Sequence, residues 1–277
     1  MIKNFRHFIL IVLLLSMCTI YFACVTGNAS VKKAYQNMNK TEKQIADSFI
    51  AYALDHEAIY TLLDTLKPIS SVKFYKLPLV SKDSKQVDSA FLVLHSIQYV
   101  VNKLSNGDIL FLANPFERID SIFKNIEIFA VRRSQMAKVI AKHQTFFNYL
   151  GINPRSHPAS VLAITEYEQK YDRWRSYGYL FGYPDYAVDF FVNAGKSQDS
   201  TKEFVKRDFI SIPVYANEKG YFTYAVPKGY QKNETDSLIY IKANQTLSYY
   251  KKIRSRFYSG SNKSPIKLWT RLVKYKL

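Results

Sequence analysis

The sequence has few residues that could form disulfide bonds or interrupt helices and strands. Its 277 residues include two cysteines, Cys18 and Cys24, and nine each of glycine and proline. Because both cysteines lie within the first 24 residues, the rest of the chain has no disulfide framework, and its stability must come from packing. Acidic residues are also scarce, with 22 Asp or Glu against 39 Lys or Arg. No internal repeat or low-complexity block is present.

The usual signatures of catalysis and cofactor binding are missing as well. The sequence has no glycine-rich phosphate loop, no Gly-x-Ser-x-Gly turn and no cysteine nucleophile after residue 24. The four histidines after that point, His56, His95, His143 and His157, are too scattered in sequence to suggest a metal site. We therefore expect neither a metal nor a cofactor.

The N-terminus carries the strongest signal that is present. Lys3 and Arg6 precede an almost unbroken apolar run, residues 8–23, which ends at Cys24. A short basic segment followed by an apolar stretch and a small residue is typical of an export leader. The Ala23-Cys24 junction resembles the lipobox of bacterial lipoproteins, although the resemblance covers only residues 21–24. It implies that the leader is removed before Cys24 and that this cysteine carries the lipid.

Two alternatives to lipidation remain open at this point. Residues 8–25 just reach the lower limit for a membrane span, about 17 residues, so the leader would also serve as an uncleaved signal anchor. Ordinary secretion after cleavage is the second alternative. All three place the domain outside the cytoplasm, because the basic N-terminus stays inside, and lipidation at Cys24 predicts a lipid-anchored protein of the cell envelope.

Size and charge limit the choice of partner. Removal of residues 1–23 takes away two positive charges and no negative ones, so the formal charge falls from +17 to +15. A protein this basic commonly binds nucleic acid, but outside the cytoplasm the available anions are lipid headgroups and glycans. We therefore expect an anionic lipid or glycan as the partner, together with the membrane, and no nucleic acid.

The hydrophobic periodicity predicts an α+β fold, a mainly helical single domain with a small mixed sheet of about five short strands. Residues 24–40 are polar and small and predict a flexible tether, residues 41–258 a globular domain, and residues 259–277 a basic amphipathic segment. Thr41 and Gln44 predict a capping box at the first helix. The remaining expectations are helices near 55–66, 85–104, 134–150, 158–177, 185–194 and 236–258, and strands near 72–80, 108–113, 126–131, 209–215 and 221–226.

Two internal segments are candidates for chemistry or binding. His56 and Glu57 would form an acid–base pair if the carboxylate orients the ring, but helix capping by the same segment is the simpler reading. The segment of residues 178–186 places aromatic rings on a glycine-flanked loop. Its Tyr179, Tyr183 and Tyr186 would stack on a sugar or lipid group, with Asp185 as a hydroxyl acceptor, unless the rings fill the core.

The last 27 residues contain nine Lys or Arg residues and no acid. A helix there would place Trp269 and Leu272 on an apolar side, and this pattern is typical of an interfacial membrane contact. The equal alternative is a terminal helix docked on the core with a solvated basic face. The complete set of predicted membrane-contact residues is Lys267, Trp269, Arg271, Leu272 and Lys274.

A further pattern concerns modification. Four Asp-Ser/Thr-aliphatic triplets resemble the acceptor sites for O-glycosylation in some Gram-negative bacteria, and they indicate Thr65, Ser89, Ser121 and Ser237. Together the patterns predict a lipid-anchored binding or structural module of the envelope without catalysis. The alternative is an envelope hydrolase that uses His56 and Glu57 on a glycan or lipid.

Overall fold

The computed structural model describes residues 31–79, 84–120, 122–216, 222–260 and 264–276. Residues 31–36 are helical and form α1. Ten further helices follow in the described ranges: α2 Lys40–Asp55, α3 Ile59–Leu62, α4 Ser84–Leu104, α5 Arg133–Lys142, α6 Gln144–Tyr149, α7 Pro158–Tyr167, α8 Lys170–Leu180, α9 Asp185–Thr201, α10 Glu234–Tyr258 and α11 Pro265–Lys276. The predicted α+β class with helices dominant is confirmed.

The described strands form two antiparallel sheets, whereas the sequence suggested one mixed sheet. The larger sheet has the order β1-β3-β2 and comprises β1 Ile69–Pro78, β2 Ile109–Asp120 and β3 Phe123–Arg132. The smaller sheet pairs β4 Arg207–Ile212 with β5 Phe222–Pro227. The number of strands, five among the described residues, agrees with the prediction.

The central strand β3 separates two hydrophobic cores. Side chains alternate along a strand, so Ile128 and Ala130 face one core, and Phe129 and Val131 face the other. Helices α2, α4 and α11 contribute to the first core, and α5 to α8 contribute to the second. We call the first the tether-side core, because it contains α1, the described helix nearest to the predicted tether, and we call the second the far-side core.

The folded domain begins earlier than the sequence suggested. Val31 is 1% exposed and Met38 is 3% exposed, and both belong to the tether-side core. Residues 31–39 are therefore part of the folded domain, which corrects the predicted tether of residues 24–40. Asn39 rather than Thr41 caps α2: its Oδ1 accepts from the amide of Glu42, and the Glu42 carboxylate accepts from the amide of Asn39.

Several predicted helices are divided in the structure. The segment predicted as residues 158–177 breaks between α7 and α8, where Glu168 has extended backbone angles. An unbroken helix would pair Glu166 with Lys170 one turn later on the surface, but Glu166 lies just before the break and is buried. The helix predicted for 55–66 is reduced to α3, because His56 is extended and ends α2. None of the described helices is long and apolar enough to cross a bilayer.

Candidate functional site

The predicted acid–base pair lies at the junction of α2 and α3, and its two side chains have different surroundings. The His56 ring stacks on Tyr52 with centroids 3.8 Å apart, and its Nδ1 lies 2.9 Å from the Tyr52 carbonyl oxygen. The Glu57 carboxylate is buried and accepts hydrogen bonds from Lys67 Nζ and from the amide of Ser71. These contacts hold the carboxylate toward the interior.

The predicted aromatic loop, residues 178–186, includes the end of α8 and the start of α9, and its rings pack in the core. Tyr179 is 8% exposed and stacks on His143 with centroids 3.7 Å apart. Tyr183 packs against Phe222 at 5.6 Å, and Tyr186 donates a hydrogen bond to Asp236. The predicted hydroxyl acceptor, Asp185, begins α9 and is engaged by Lys142. The core-filling alternative therefore describes these rings.

The predicted membrane helix is α11, and its apolar side is covered. Trp269 is 2% exposed and Leu272 is 0% exposed, because both pack in the tether-side core. The Trp269 ring lies edge-on to Phe111 of β2 at 6.0 Å. These two residues are therefore not available to lipid, which corrects their assignment as membrane contacts. Lys267 and Arg271 are exposed, and the side chain of Lys274 is outside the described part.

Three of the four predicted glycosylation sites lie in the described part of the chain. Thr65, Ser89 and Ser237 are exposed, and their hydroxyls have ordinary surface environments: Thr65 accepts from Lys242, and Ser237 donates to the Asn233 carbonyl oxygen. Ser121 and the predicted lipidation site Cys24 lie outside the described residues. Glycosylation and lipidation stay predictions.

The structure places exposed basic residues on two helices that contact each other. On α10, Lys252 and Arg256 are exposed one helical turn apart, and on α11 Lys267 and Arg271 repeat this spacing. We call these four residues the C-terminal basic face. The two helices are joined by a short connection and contact each other, for example where the Tyr249 hydroxyl donates to the Leu272 carbonyl oxygen at 3.3 Å. The last acid in the sequence, Asp236, precedes all four residues and is 2% exposed.

The start of α11 is fastened to α1 and α2. The Tyr35 hydroxyl donates to Asp47 Oδ2 at 2.5 Å, and Ser264 Oγ donates to Asp47 Oδ1 at 2.8 Å. Ser264 Oγ also lies 3.2 Å from the Tyr35 hydroxyl, and the amide of Ile266 donates to Asp47. One carboxylate therefore ties the beginning of the folded chain to the helix that carries half of the basic face.

A second polar cluster is buried inside the fold, and sequence reasoning missed it. Lys67 is 0% exposed, and its Nζ donates to Glu57 Oε2 at 2.9 Å. Three aromatic rings surround this ammonium: Phe222 at 4.2 Å, Phe181 at 5.0 Å and Tyr183 at 5.7 Å from Nζ to the centroid. Cation–π contacts and one ion pair compensate the lost hydration.

The cluster contains two more buried carboxyl groups. Glu127 of β3 is 2% exposed and lies opposite Asn114 of β2, and its Oε1 has no hydrogen-bond partner in the described part of the chain. Glu166 of α7 accepts from the Tyr177 hydroxyl at 2.7 Å and from the amide of Glu117 at 3.0 Å. The only sequence signal was a glutamate inside an otherwise apolar strand, Ile126 to Val131.

Burial controls the protonation of this cluster. Desolvation raises the pKa of Glu127 to about 8, and the negative charges of Glu57 and Glu166 reinforce the effect. A hydrogen bond from Ser71 and the charge of Lys67 act in the opposite direction. Burial likewise lowers the pKa of Lys67, although Glu57 opposes this shift. At neutral pH Glu127 therefore holds its proton.

Perturbed carboxyl groups of this kind occur at catalytic sites and also in structural ion-pair networks. Here each group is nine-tenths or more buried, so a substrate has no contact with it in this conformation. Among the described residues no group of three His, Cys, Asp or Glu side chains is arranged to hold a metal ion. The cluster is best described as a polar core that links the sheet to α7, and the exposed C-terminal basic face is the candidate site.

Comparison with known proteins adds no relative to this description. No family model matches the chain, and neither the curated proteins nor the solved structures gave a significant match.

Proposed function

We propose that this chain is a lipid-anchored protein of the cell envelope, outside the cytoplasm, that binds an anionic membrane surface without catalysis. Cys24 carries the lipid, and the C-terminal basic face makes the electrostatic contact. The observation that supports this most directly is the attachment of α11 to α1 through Asp47. That attachment keeps the start of α11 close to the point where the anchored segment enters the fold.

The length of the connection supports a close approach to the bilayer. Seven peptide units separate Cys24 from Val31, the first described residue, which is buried in the tether-side core. At a maximum of roughly 3.5 Å per residue, this segment spans at most about 25 Å. A lipid on Cys24 therefore restricts the folded domain to the layer immediately next to the headgroups.

The electrostatic contribution to membrane binding is large enough to orient the domain on the surface. A basic side chain near an anionic leaflet contributes on the order of 1 kcal/mol. The four residues of the C-terminal basic face would therefore contribute about 4 kcal/mol, equivalent to roughly a thousandfold change in partitioning. Because the Debye length is about 8 Å at physiological salt, this contribution should weaken strongly as salt is added.

The test of the anchor is metabolic labelling with a palmitate analogue. The wild-type chain should incorporate the label and be processed, whereas Cys24→Ser should do neither. Cys18→Ser is the matched control, because this second cysteine lies inside the leader and should not alter labelling. Equal labelling of the Cys24→Ser variant would contradict the assignment.

The test of the surface uses the mature chain with Ser at position 24, so that no lipid contributes to binding. Co-sedimentation with vesicles containing 30% phosphatidylglycerol should be strong at low salt and weak at high salt, and neutral vesicles should not bind. The variant Lys267→Glu/Arg271→Glu should lose most of the binding. Lys196→Glu/Lys206→Glu, which makes the same charge change on exposed residues outside α10 and α11, should lose much less. Equal loss in both pairs would show that only net charge matters and would refute a specific face.

A further inference from the structure

Three exposed phenylalanines lie in a region that the membrane proposal does not use. Phe204 and Phe209 are 64% and 63% exposed, and Phe191 is 37% exposed. They belong to α9, β4 and the connection between them. Large exposed rings that lie together commonly mark an interaction site.

One arginine connects these rings. The guanidinium carbon of Arg207 lies 4.6 Å from the centroid of Phe204 and 5.9 Å from that of Phe191. Phe209 is two residues further along β4 and therefore projects from the same side of the strand as Arg207. We call Trp174, Phe191, Phe204, Arg207 and Phe209 the cation–aromatic platform.

Trp174 extends the platform onto α8. Its ring is 5.1 Å from Phe191, and Lys170 Nζ lies 4.9 Å above it. Gly195 makes this position available, since a Cβ on that residue would stand 2.4 Å from the Trp174 ring. The rings of Trp174 on α8 and Phe191 on α9 therefore lie side by side, and Arg207 of β4 connects Phe191 to Phe204.

Hydroxyl groups lie beside the rings on the smaller sheet. Ser211 projects from the same side of β4 as Phe209, and its Oγ is 2.9 Å from Thr223 Oγ1 of β5. The nearby acids are already engaged: Asp199 accepts from Lys170 and Tyr171, and Asp208 accepts from Lys228 and the amide of Gly229. The platform therefore presents aromatic faces, hydroxyls and the guanidinium of Arg207, whereas the ammonium of Lys170 is paired with Asp199.

We infer that the cation–aromatic platform binds a saccharide that carries an anionic group such as a phosphate or a carboxylate. The rings offer flat apolar faces to the C–H side of a sugar, and the hydroxyl pair exchanges hydrogen bonds with sugar hydroxyls. Arg207 supplies the forked donor geometry that matches phosphate or carboxylate. A lipid bilayer would fit less well, because the platform combines two polar hydroxyls with its rings. This site differs from the proposed membrane contact, since its residues lie on α8, α9, β4 and the connection before β4, and none of them lies on α10 or α11.

The experiment is binding of the full chain, purified in detergent, to an array of defined saccharides, each present in neutral, phosphorylated and carboxylated forms. The expected hits are anionic members, and Phe209→Ala should weaken binding to them at least tenfold. Arg207→Lys keeps the charge but loses the fork, so the preference for anionic over neutral forms should fall at least fivefold. Tyr149→Ala, which removes a ring that is 80% exposed on α6, is the control and should bind like the wild type.

The two sources of such a saccharide are separated by repeating the assay with the best binder either free or attached to lipid in a neutral vesicle. Equal affinity for both forms identifies a glycan ligand, and preference for the lipid-linked form identifies a glycolipid headgroup. Thermal melting of each variant checks that the fold is intact, and Phe209→Leu, which removes the aromatic face but keeps an apolar side chain, serves as a second variant if Phe209→Ala melts early. The inference is overturned if no saccharide binds, if only neutral ones bind, or if the platform variants bind as the control does.

Discussion

The buried carboxyl group of Glu127 should make this protein less stable as the pH rises toward neutrality. Burial raises the pKa of Glu127 from 4.5 to about 8 in the folded chain, and the unfolded chain keeps the ordinary value. Between these two values the unfolded state has released the proton while the folded state retains it. The free energy of unfolding therefore falls with increasing pH across this window, and it is constant above about pH 8.

The size of the effect follows from the shift. One pKa unit corresponds to about 1.4 kcal/mol, so at pH 7 the retained proton costs up to about 3 kcal/mol relative to pH 4.5. Glu127→Gln keeps the shape of the protonated side chain and has no proton to lose. We expect the variant to be more stable than the wild type at pH 7 by up to roughly 3 kcal/mol, and the two to converge near pH 5.

The measurement is urea unfolding of both chains at pH 5, 6, 7 and 8, followed by the difference in unfolding free energy at each pH. The difference isolates Glu127, because other titrating groups such as His143 contribute equally to both chains. Glu203→Gln makes the same chemical change at an exposed position and should give a difference near zero at every pH. A Glu127→Gln difference that is independent of pH would refute the reasoning.

The remaining predictions concern the two cores and the buried ion pair. Trp269→Ala should cost about 3–5 kcal/mol because the indole fills the tether-side core, whereas Arg271→Ala on the exposed side of the same helix should stay within about 0.5 kcal/mol; denaturant unfolding of the two variants compares them. Tyr179→Ala should likewise cost about 3 kcal/mol or more because its ring packs in the far-side core, and a nearly unchanged melting temperature would contradict this. Lys67→Met should lower the free energy of unfolding by about 3–5 kcal/mol, because it leaves Glu57 unpaired. Adding Glu57→Gln to this variant should recover part of the lost stability. Purely additive losses in the double-mutant cycle would show that the two groups are not coupled.

The helices and strands with regular periodicity could be predicted from the sequence. The α4 helix was expected at residues 85–104 and spans Ser84–Leu104. The two strands of the smaller sheet were also found within a few residues of their bounds. In these segments apolar side chains repeat at the spacing that their own secondary structure requires, so local pattern and tertiary burial agree.

The predictions failed where a long-range contact decides the local conformation. Glu166 fits an amphipathic helix paired with Lys170, but its carboxylate is instead held by Tyr177 and by the amide of Glu117. The partner on β2 is far away in sequence, so no local period contains this information. The same reason explains why the burial of Tyr179 was not predicted. An aromatic residue near a glycine is equally compatible with an exposed binding loop and with a side chain that packs in the core.

The charge of the protein also becomes interpretable only with the fold. Many of the acids are consumed by internal contacts that tie elements together: Asp47, Asp55, Glu57, Asp64, Asp108, Glu117, Glu166, Asp185, Asp189, Asp199, Asp208 and Asp236. Glu127 holds its proton at neutral pH and contributes no charge. With the acids engaged in this way, the excess of Lys and Arg lies at the surface. A basic composition alone indicates only an anionic partner, whereas the engagement of these acids in internal contacts explains why exposed basic residues remain on α10 and α11.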